Sequence, residues 1–225
     1  MYDPECPPVE LHYQLVVSGG STSKNPTVLL LHGRGDSASG IAPLATGLNR
    51  DDLLAVSVQA PIQLTGLPNA GYEWYPMHEI GQPEQPNMRR SLTMLTSFLG
   101  TLGHIYPINP EQIVLFGFSQ GAVIALALQA LHPNSIAGVV ALSGYFPVEY
   151  LGDASDLANR PVFIGHGTVD HIIPIESGRK SRDVLENSGA QITYREYHMG
   201  HQVSEDEMAD VRRWLNKILA PSSSK

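Results

Sequence analysis

Short apolar runs recur along the chain with helix-patterned stretches between them. This alternation limits the fold more than any other feature. Residues 27–31 (TVLLL), 53–58, 113–118, 138–142 and 161–165 are apolar or β-branched runs of strand length, the pattern of strands buried on both faces. Residues 191–197 are β-branched and aromatic and read as another strand. Residues 11–18 alternate apolar and polar positions, as an edge or half-exposed strand does. Between these runs, Met88, Leu92, Leu95, Leu99 and Leu102 share one face at helix spacing, and residues 121–131 are almost wholly apolar, which suits a buried helix. Residues 176–187 read as a surface helix closed by Gly189. Ser204 and Glu207 bound a capping box that opens a helix running to residue 219. Strands alternating with helices predict an α/β fold: a mainly parallel central sheet with helices on both faces, in one domain spanning 1–225 with frayed ends at 1–10 and 222–225. In such sheets ligands sit beyond the carboxyl ends of the strands. The residues that follow each strand therefore carry the chemistry.

After 113–118 comes Gly117-Phe118-Ser119-Gln120-Gly121, a G-x-S-x-G turn with a buried strand before it and a buried helix after it. That context makes Ser119 a candidate nucleophile on a tight turn, with the N-terminus of the following helix favouring negative charge beside it. After 27–31 comes His32-Gly33-Arg34-Gly35-Asp36. This H-G-x-G loop fits the second half of an oxyanion hole, with one backbone N–H from Arg34 and the other from Gln120. His32 itself reads as a structural residue that ties the loop together, since a base there would stand on the wrong side of the nucleophile. After 161–165 comes a Gly-rich turn holding Asp170, suited to orient a base and stabilise its charged form. Asp153 and Asp156 also follow a strand, but in a polar stretch that reads as solvated loop. After 191–197 come His198 and His201. His201 follows a glycine and precedes the capping box, which favours it as base; His198 suits local packing, and on the residues alone both stay open. His171 adjoins the proposed acid and is poorly placed to receive its hydrogen bond as well. The order Ser119, Asp170, His201 is that of α/β-hydrolases.

Composition narrows the partners. Net charge is −8, which disfavours nucleic acid and anionic lipid surfaces. No apolar run reaches the roughly 18 residues of a membrane span, so stable membrane insertion is not expected. The start, MYDPECPPVE, lacks the basic and apolar pattern of a signal peptide, and a cytoplasmic location is expected. Cys6 is the only cysteine and lies outside any patterned segment; it permits no intrachain disulfide and no cysteine-based metal site. The mechanism these residues suggest needs no metal and no organic cofactor. Oligomeric state is left open, a homodimer included.

The segments LLLHGRGDS (29–37), VLFGFSQGA (114–122), ALSGYFP (141–147), IGHGTVDHIIP (164–174) and YHMGHQV (197–203) together resemble the phospholipase/carboxylesterase family, which includes acyl-protein thioesterases. They span most of the chain in the family's order. The resemblance implies an α/β-hydrolase fold, a triad of Ser119, Asp170 and His201 rather than His198, and oxyanion donors at Arg34 and Gln120. It also implies a serine carboxylesterase acting through an acyl-enzyme, with thioesterase or lysophospholipase action as the alternative and an inactive binding protein of the same fold as a remote one. Three departures stand out: Arg34 where many relatives are apolar, Ala122 where a third glycine is common, and Pro76 after Trp74-Tyr75 where the family's W-F-D segment has an acid.

Residues 61–87 are rich in Gly and Pro and read as a long irregular loop of the kind that often serves a site. Trp74, Tyr75, Met77 and Ile80 on it, with Tyr145 and Phe146 after another strand, are the expected pocket-lining residues. The chain has no room for a large separate lid, so a pocket for short- to medium-chain small-molecule esters is expected.

Overall fold

The computed structural model describes residues 11–18, 24–66, 70–79, 82–151 and 157–219. Cys6, Ile80, Asp153, Asp156 and both expected frayed ends lie outside the described residues. Along the chain the elements run β1 (Tyr13–Ser18), β2 (Asn25–Leu31), α1 (Ala38–Thr46), β3 (Leu54–Val58), β4 (Ile62–Gln63), β5 (Tyr72–Glu73), β6 (Met77–Glu79), β7 (Gln82–Pro83) and α2 (Gln85–Ile105). They continue with β8 (Ile108–Phe118), α3 (Gln120–Leu131), β9 (Gly138–Leu142), α4 (Val148–Leu151), β10 (Pro161–Gly167), α5 (Ile175–Asn187), β11 (Gln191–Tyr197) and α6 (Glu205–Ile218).

Seven strands form one sheet in the order β1-β3-β2-β8-β9-β10-β11. Only β1 is antiparallel, at the edge beside β3; the other pairs are parallel. The strand alternation then divides the core. Val28, Leu30, Val114, Phe116, Val140, Leu142 and Phe163 face α1 and α6, where Ile41, Ala45, Met208, Val211 and Leu215 meet them. Their sequence neighbours Leu29, Leu31, Leu115, Val139, Ala141 and Ile164 face α2, α3 and α5. A period of two along each strand thus coats both faces with apolar side chains, and helices cover both. This is the α/β-hydrolase architecture.

Four local features differ from the sequence expectation. The strand expected at 113–118 starts earlier, at Ile108, where it pairs with Asn25 across an irregular register. Helix α1 was not expected, because Gly40 and Pro43 break its pattern. Its Ser37 side chain caps the Gly40 N–H at 3.1 Å, and Ala38, Ile41, Ala42 and Ala45 are buried, so packing carries a helix that local propensity disfavours. The capping box of α6 is half formed. Ser204 Oγ accepts the Glu207 N–H at 3.2 Å, but both Glu207 carboxyl oxygens are buried without a hydrogen-bond partner. The side chain has turned into the core, where a Cβ on Gly165 would lie 2.1 Å from its Oε1. Finally, 61–87 is not irregular throughout. It holds the hairpins β4–β5 and β6–β7, and α2 begins inside it, with Glu84 capping Asn87 N–H at 3.0 Å.

Candidate active site

The sheet brings its strand ends to one edge, and the expected chemistry gathers there. Ser119 stands between β8 and α3 with φ 55° and ψ −119°, a left-handed backbone that costs a non-glycine residue about 1–3 kcal/mol. Its surroundings enforce the turn. A Cβ on Gly117 would lie 2.4 Å from the Gly121 backbone, and one on Gly121 would lie 1.9 Å from Leu31 O. Both glycines are therefore required by close approach, one within the elbow and one where α3 crosses β2. The Ser119 N–H donates to Leu142 O at 2.9 Å, which ties the elbow to the neighbouring strand end.

His201 Nε2 lies 2.9 Å from Ser119 Oγ, and His201 Nδ1 lies 2.7 Å from Asp170 Oδ2. A carboxylate only accepts, so Nδ1 carries the ring proton and Nε2 receives the serine hydroxyl. The imidazole packs on Phe118 with ring centroids 4.9 Å apart. Its loop is seated on Gly167, where a Cβ would strike the Met199 and Gly200 carbonyls.

Asp170 is buried, and its Oδ1 accepts the Ile172 and Ile173 N–H groups, each at 2.9 Å. Burial pushes its carboxyl up, but hydrogen bonds from His201 and from the Ile173 and Ile172 amides outweigh that and hold it below its ordinary value. Behind it, His166 is fully buried. Its Nε2–H donates to Ile173 O at 2.8 Å and lies 3.6 Å from Asp170 Oδ2, while its Nδ1 has no partner. Burial lowers the His166 pKa, which keeps the ring neutral.

The loop after β2 meets Ser119 closely: a Cβ on Gly33 would lie 3.2 Å from Ser119 Cβ. Among the described residues no acceptor takes the Arg34 N–H. Gln120 opens α3, where backbone N–H groups have no intrahelical partner. His32 sits beneath this loop with a defined tautomer. Ala60 N–H donates to its Nε2 at 3.0 Å, so its Nδ1–H donates to Gly33 O at 2.7 Å; burial keeps its pKa low. It is a structural tie, as expected. His198 is exposed, contacts Thr168 at 3.4 Å and has no bond to Ser119 or Asp170.

The expected pocket residues divide. Trp74 and Tyr75 are both 0% exposed, so they present no surface to a bound ester and support the site from behind. Trp74 Nε1–H donates to His32 O at 2.9 Å, and the Tyr75 hydroxyl lies 3.5 Å from that of Tyr145. Met77 is half-buried against the core. Tyr145 and Phe146 do border open space, a groove of about 600 Å³ that Pro83 and Lys180 also line. Ser119 is not among the groove's walls, but a Cβ on Gly144, just before Tyr145, would lie 3.1 Å from Ser119 O.

A profile of the phospholipase/carboxylesterase family matches residues 12–219. The chain belongs to this family. Among curated relatives, it is 31% identical to acyl-protein thioesterase 1 of Candida albicans, covering 91% of this chain and 96% of that protein. It is 27% identical to the carboxylesterase SOBER1 of Arabidopsis thaliana over 88% of this chain and 92% of that one. Among solved structures, the Bacillus cereus carboxylesterase superposes with a TM-score of 0.82 at 25% identity, covering 94% and 96% of the two chains. Family and relatives together support a hydrolase. No helix among the described residues is long and apolar enough to cross a membrane.

Three features of this family member's site had no signal in the sequence. His166 lies inside a motif already noted, yet only the fold shows it behind Asp170. The Arg34 side chain does not stand free: its Nε donates to Glu73 Oε2 at 2.7 Å, and that carboxyl is almost wholly buried. The Gln120 side chain is also engaged, holding Trp74 and Tyr75. These pairs are 39 or more residues apart, beyond the reach of any local pattern.

Proposed function

We propose that the chain is a serine carboxylesterase that hydrolyses short- to medium-chain carboxylic esters through an acyl-enzyme. One observation carries the reading: Ser119 Oγ, His201 and Asp170 form a continuous hydrogen-bonded series of 2.9 and 2.7 Å that starts from a nucleophile on a strained turn. His201 takes the Ser119 proton as Oγ attacks the ester carbonyl. The carbonyl oxygen becomes an oxyanion between the Arg34 and Gln120 N–H groups, where each donor contributes on the order of 3 kcal/mol in the transition state. The tetrahedral intermediate collapses as His201 protonates the leaving alcohol. Water then repeats the sequence on the acyl-serine and frees the acid. Tyr145 and Met77 remain the residues assigned to the ester pocket, with Trp74 and Tyr75 behind them.

A second reading has support of its own, because relatives at 31–33% identity are named acyl-protein thioesterases. The two separate on purified protein assayed with p-nitrophenyl esters from acetate to palmitate beside an acyl-thioester of matched chain. Highest kcat/KM on butyrate to octanoate esters supports the proposal. An optimum at palmitate, or a thioester preferred over its matched ester, replaces the proposal with a thioesterase or lysophospholipase.

A further inference from the structure

The two residues assigned above to the oxyanion donors send their side chains to the same place. From the loop after β2, Arg34 Nε donates to Glu73 Oε2 at 2.7 Å. From the elbow, Gln120 Oε1 accepts the Trp74 N–H and Gln120 Nε2 donates to Tyr75 O, both at 2.7 Å. Three consecutive residues are thus gripped by both halves of the oxyanion site. The backbone repeats the connection. Gly35 N–H donates to Tyr72 O and Tyr72 N–H to Asp36 O, each at 2.9 Å, while the Trp74 indole N–H reaches His32 O. The far side is fixed to α2, where Ser91 Oγ donates to Trp74 O at 2.5 Å. Glu73 is 5% exposed, and a carboxylate that buried is seldom left without a partner; here the partner is Arg34.

Strands β2 and β8 are hydrogen-bonded as far as the pair Leu31 and Gly117. Beyond that pair no ladder hydrogen bond sets the separation of the Arg34 and Gln120 N–H groups, although Gly33 still packs close to Ser119. Residues 73–75 are hydrogen-bonded to both loops. We propose that this segment braces the oxyanion site, with Glu73 as a positioning residue that acts through Arg34. The inference rests on the oxyanion assignment made above. Donors fixed in advance stabilise charge that develops only in the transition state, so loosening the brace lowers kcat while leaving KM nearly unchanged.

The test uses Glu73→Ala, Arg34→Met, the double variant and Glu73→Gln. Each is assayed with p-nitrophenyl butyrate and with 1,1,1-trifluoro-2-octanone. The ketone is a probe of the oxyanion site: Ser119 Oγ adds to its carbonyl carbon, the serine proton passes to His201, and the carbonyl oxygen becomes the bound oxyanion. The double variant leaves no unpaired charge, so it stays interpretable if either single variant fails to fold. It is expected to lose about 10- to 100-fold in kcat/KM, almost all in kcat, with the ketone Ki weakened by the same factor. The double loss is expected to match the single losses rather than their product. Glu73→Gln keeps an acceptor for the Arg34 Nε–H and recovers most of the activity. A folded double variant with wild-type kcat/KM overturns the brace, and so does a loss confined to KM with Ki unmoved. A wild-type enzyme that hydrolyses esters yet is not inhibited by the ketone overturns the oxyanion reading, and the brace with it.

Discussion

Two carboxyl groups lie buried against β10 and its turn, and they behave in opposite ways. Asp170 receives three hydrogen bonds, from His201 and the Ile172 and Ile173 amides, and its pKa is lowered. Glu207 receives none at its carboxyl oxygens, and burial pushes its pKa up to about 8. Both are close to fully buried, so burial does not decide the charge. Donors aimed at the carboxylate do. Around β10, therefore, Asp170 is pushed toward its ionised form facing the site, and Glu207 of α6 toward its neutral form facing the core.

The largest effect expected from breaking this contrast is on Asp170. Asp170→Asn keeps an acceptor for the Ile172 and Ile173 amides but no longer fixes the His201 tautomer. A loss of about 10⁴ in kcat is expected with the fold intact, checked by steady-state kinetics beside circular dichroism. A loss below tenfold would mean that Asp170 does not orient the base.

Next comes the pH dependence of stability, where the two acids carry opposite signs. Asp170 has a folded pKa below its ordinary 3.8. The stability it contributes is present above 3.8 and is lost as pH falls through the lower folded value. Glu207 has a folded pKa raised from 4.5 to about 8. Its neutral form is favoured by folding, so the corresponding stability is full below 4.5 and declines as pH rises through about 8. Glu207→Met removes the unpaired group at similar length. It is expected to raise stability at pH 8 by on the order of a few kcal/mol, with the gain shrinking toward pH 5 in denaturant melts. A gain independent of pH would contradict the assigned protonation.

A smaller effect sharpens where the Glu207 carboxyl sits. Gly165→Ala would place a Cβ 2.1 Å from Glu207 Oε1 and 3.1 Å from Leu142 Cδ2. A destabilisation of about 1–3 kcal/mol is expected, reduced in the Glu207→Ala background. Equal losses in both backgrounds would show that Leu142, not the carboxyl, limits the space.

What was legible in the sequence follows from what is local. Ser119, Asp170 and His201 each follow a strand within a short motif; β11 ends where its β-branched and aromatic stretch ends, and β10 runs two residues past its apolar run, to Gly167. Asp170 could be named for that reason, whereas its amide donors and His166 come from the fold of the turn. Glu207 shows the reverse. The spacing Ser204 to Glu207 is that of a reciprocal cap, but the side chain reaches Gly165 instead, and a glycine forty-two positions earlier leaves no local mark on the helix. The aromatics at 74 and 75 lie in a Gly- and Pro-rich stretch that suggested a lining loop. Their polar handles instead lie in the interior, the Trp74 indole N–H on His32 O and the Tyr75 hydroxyl beside that of Tyr145, as buried Trp and Tyr require.

The central claim is that Ser119 is the nucleophile, and covalent labelling tests it most directly. Purified protein treated with a fluorophosphonate, digested and examined by mass spectrometry should carry the phosphonyl group on Ser119 in parallel with loss of esterase activity, and Ser119→Ala should neither label nor turn over. Modification at another residue, or ester hydrolysis retained by folded Ser119→Ala, would contradict the account.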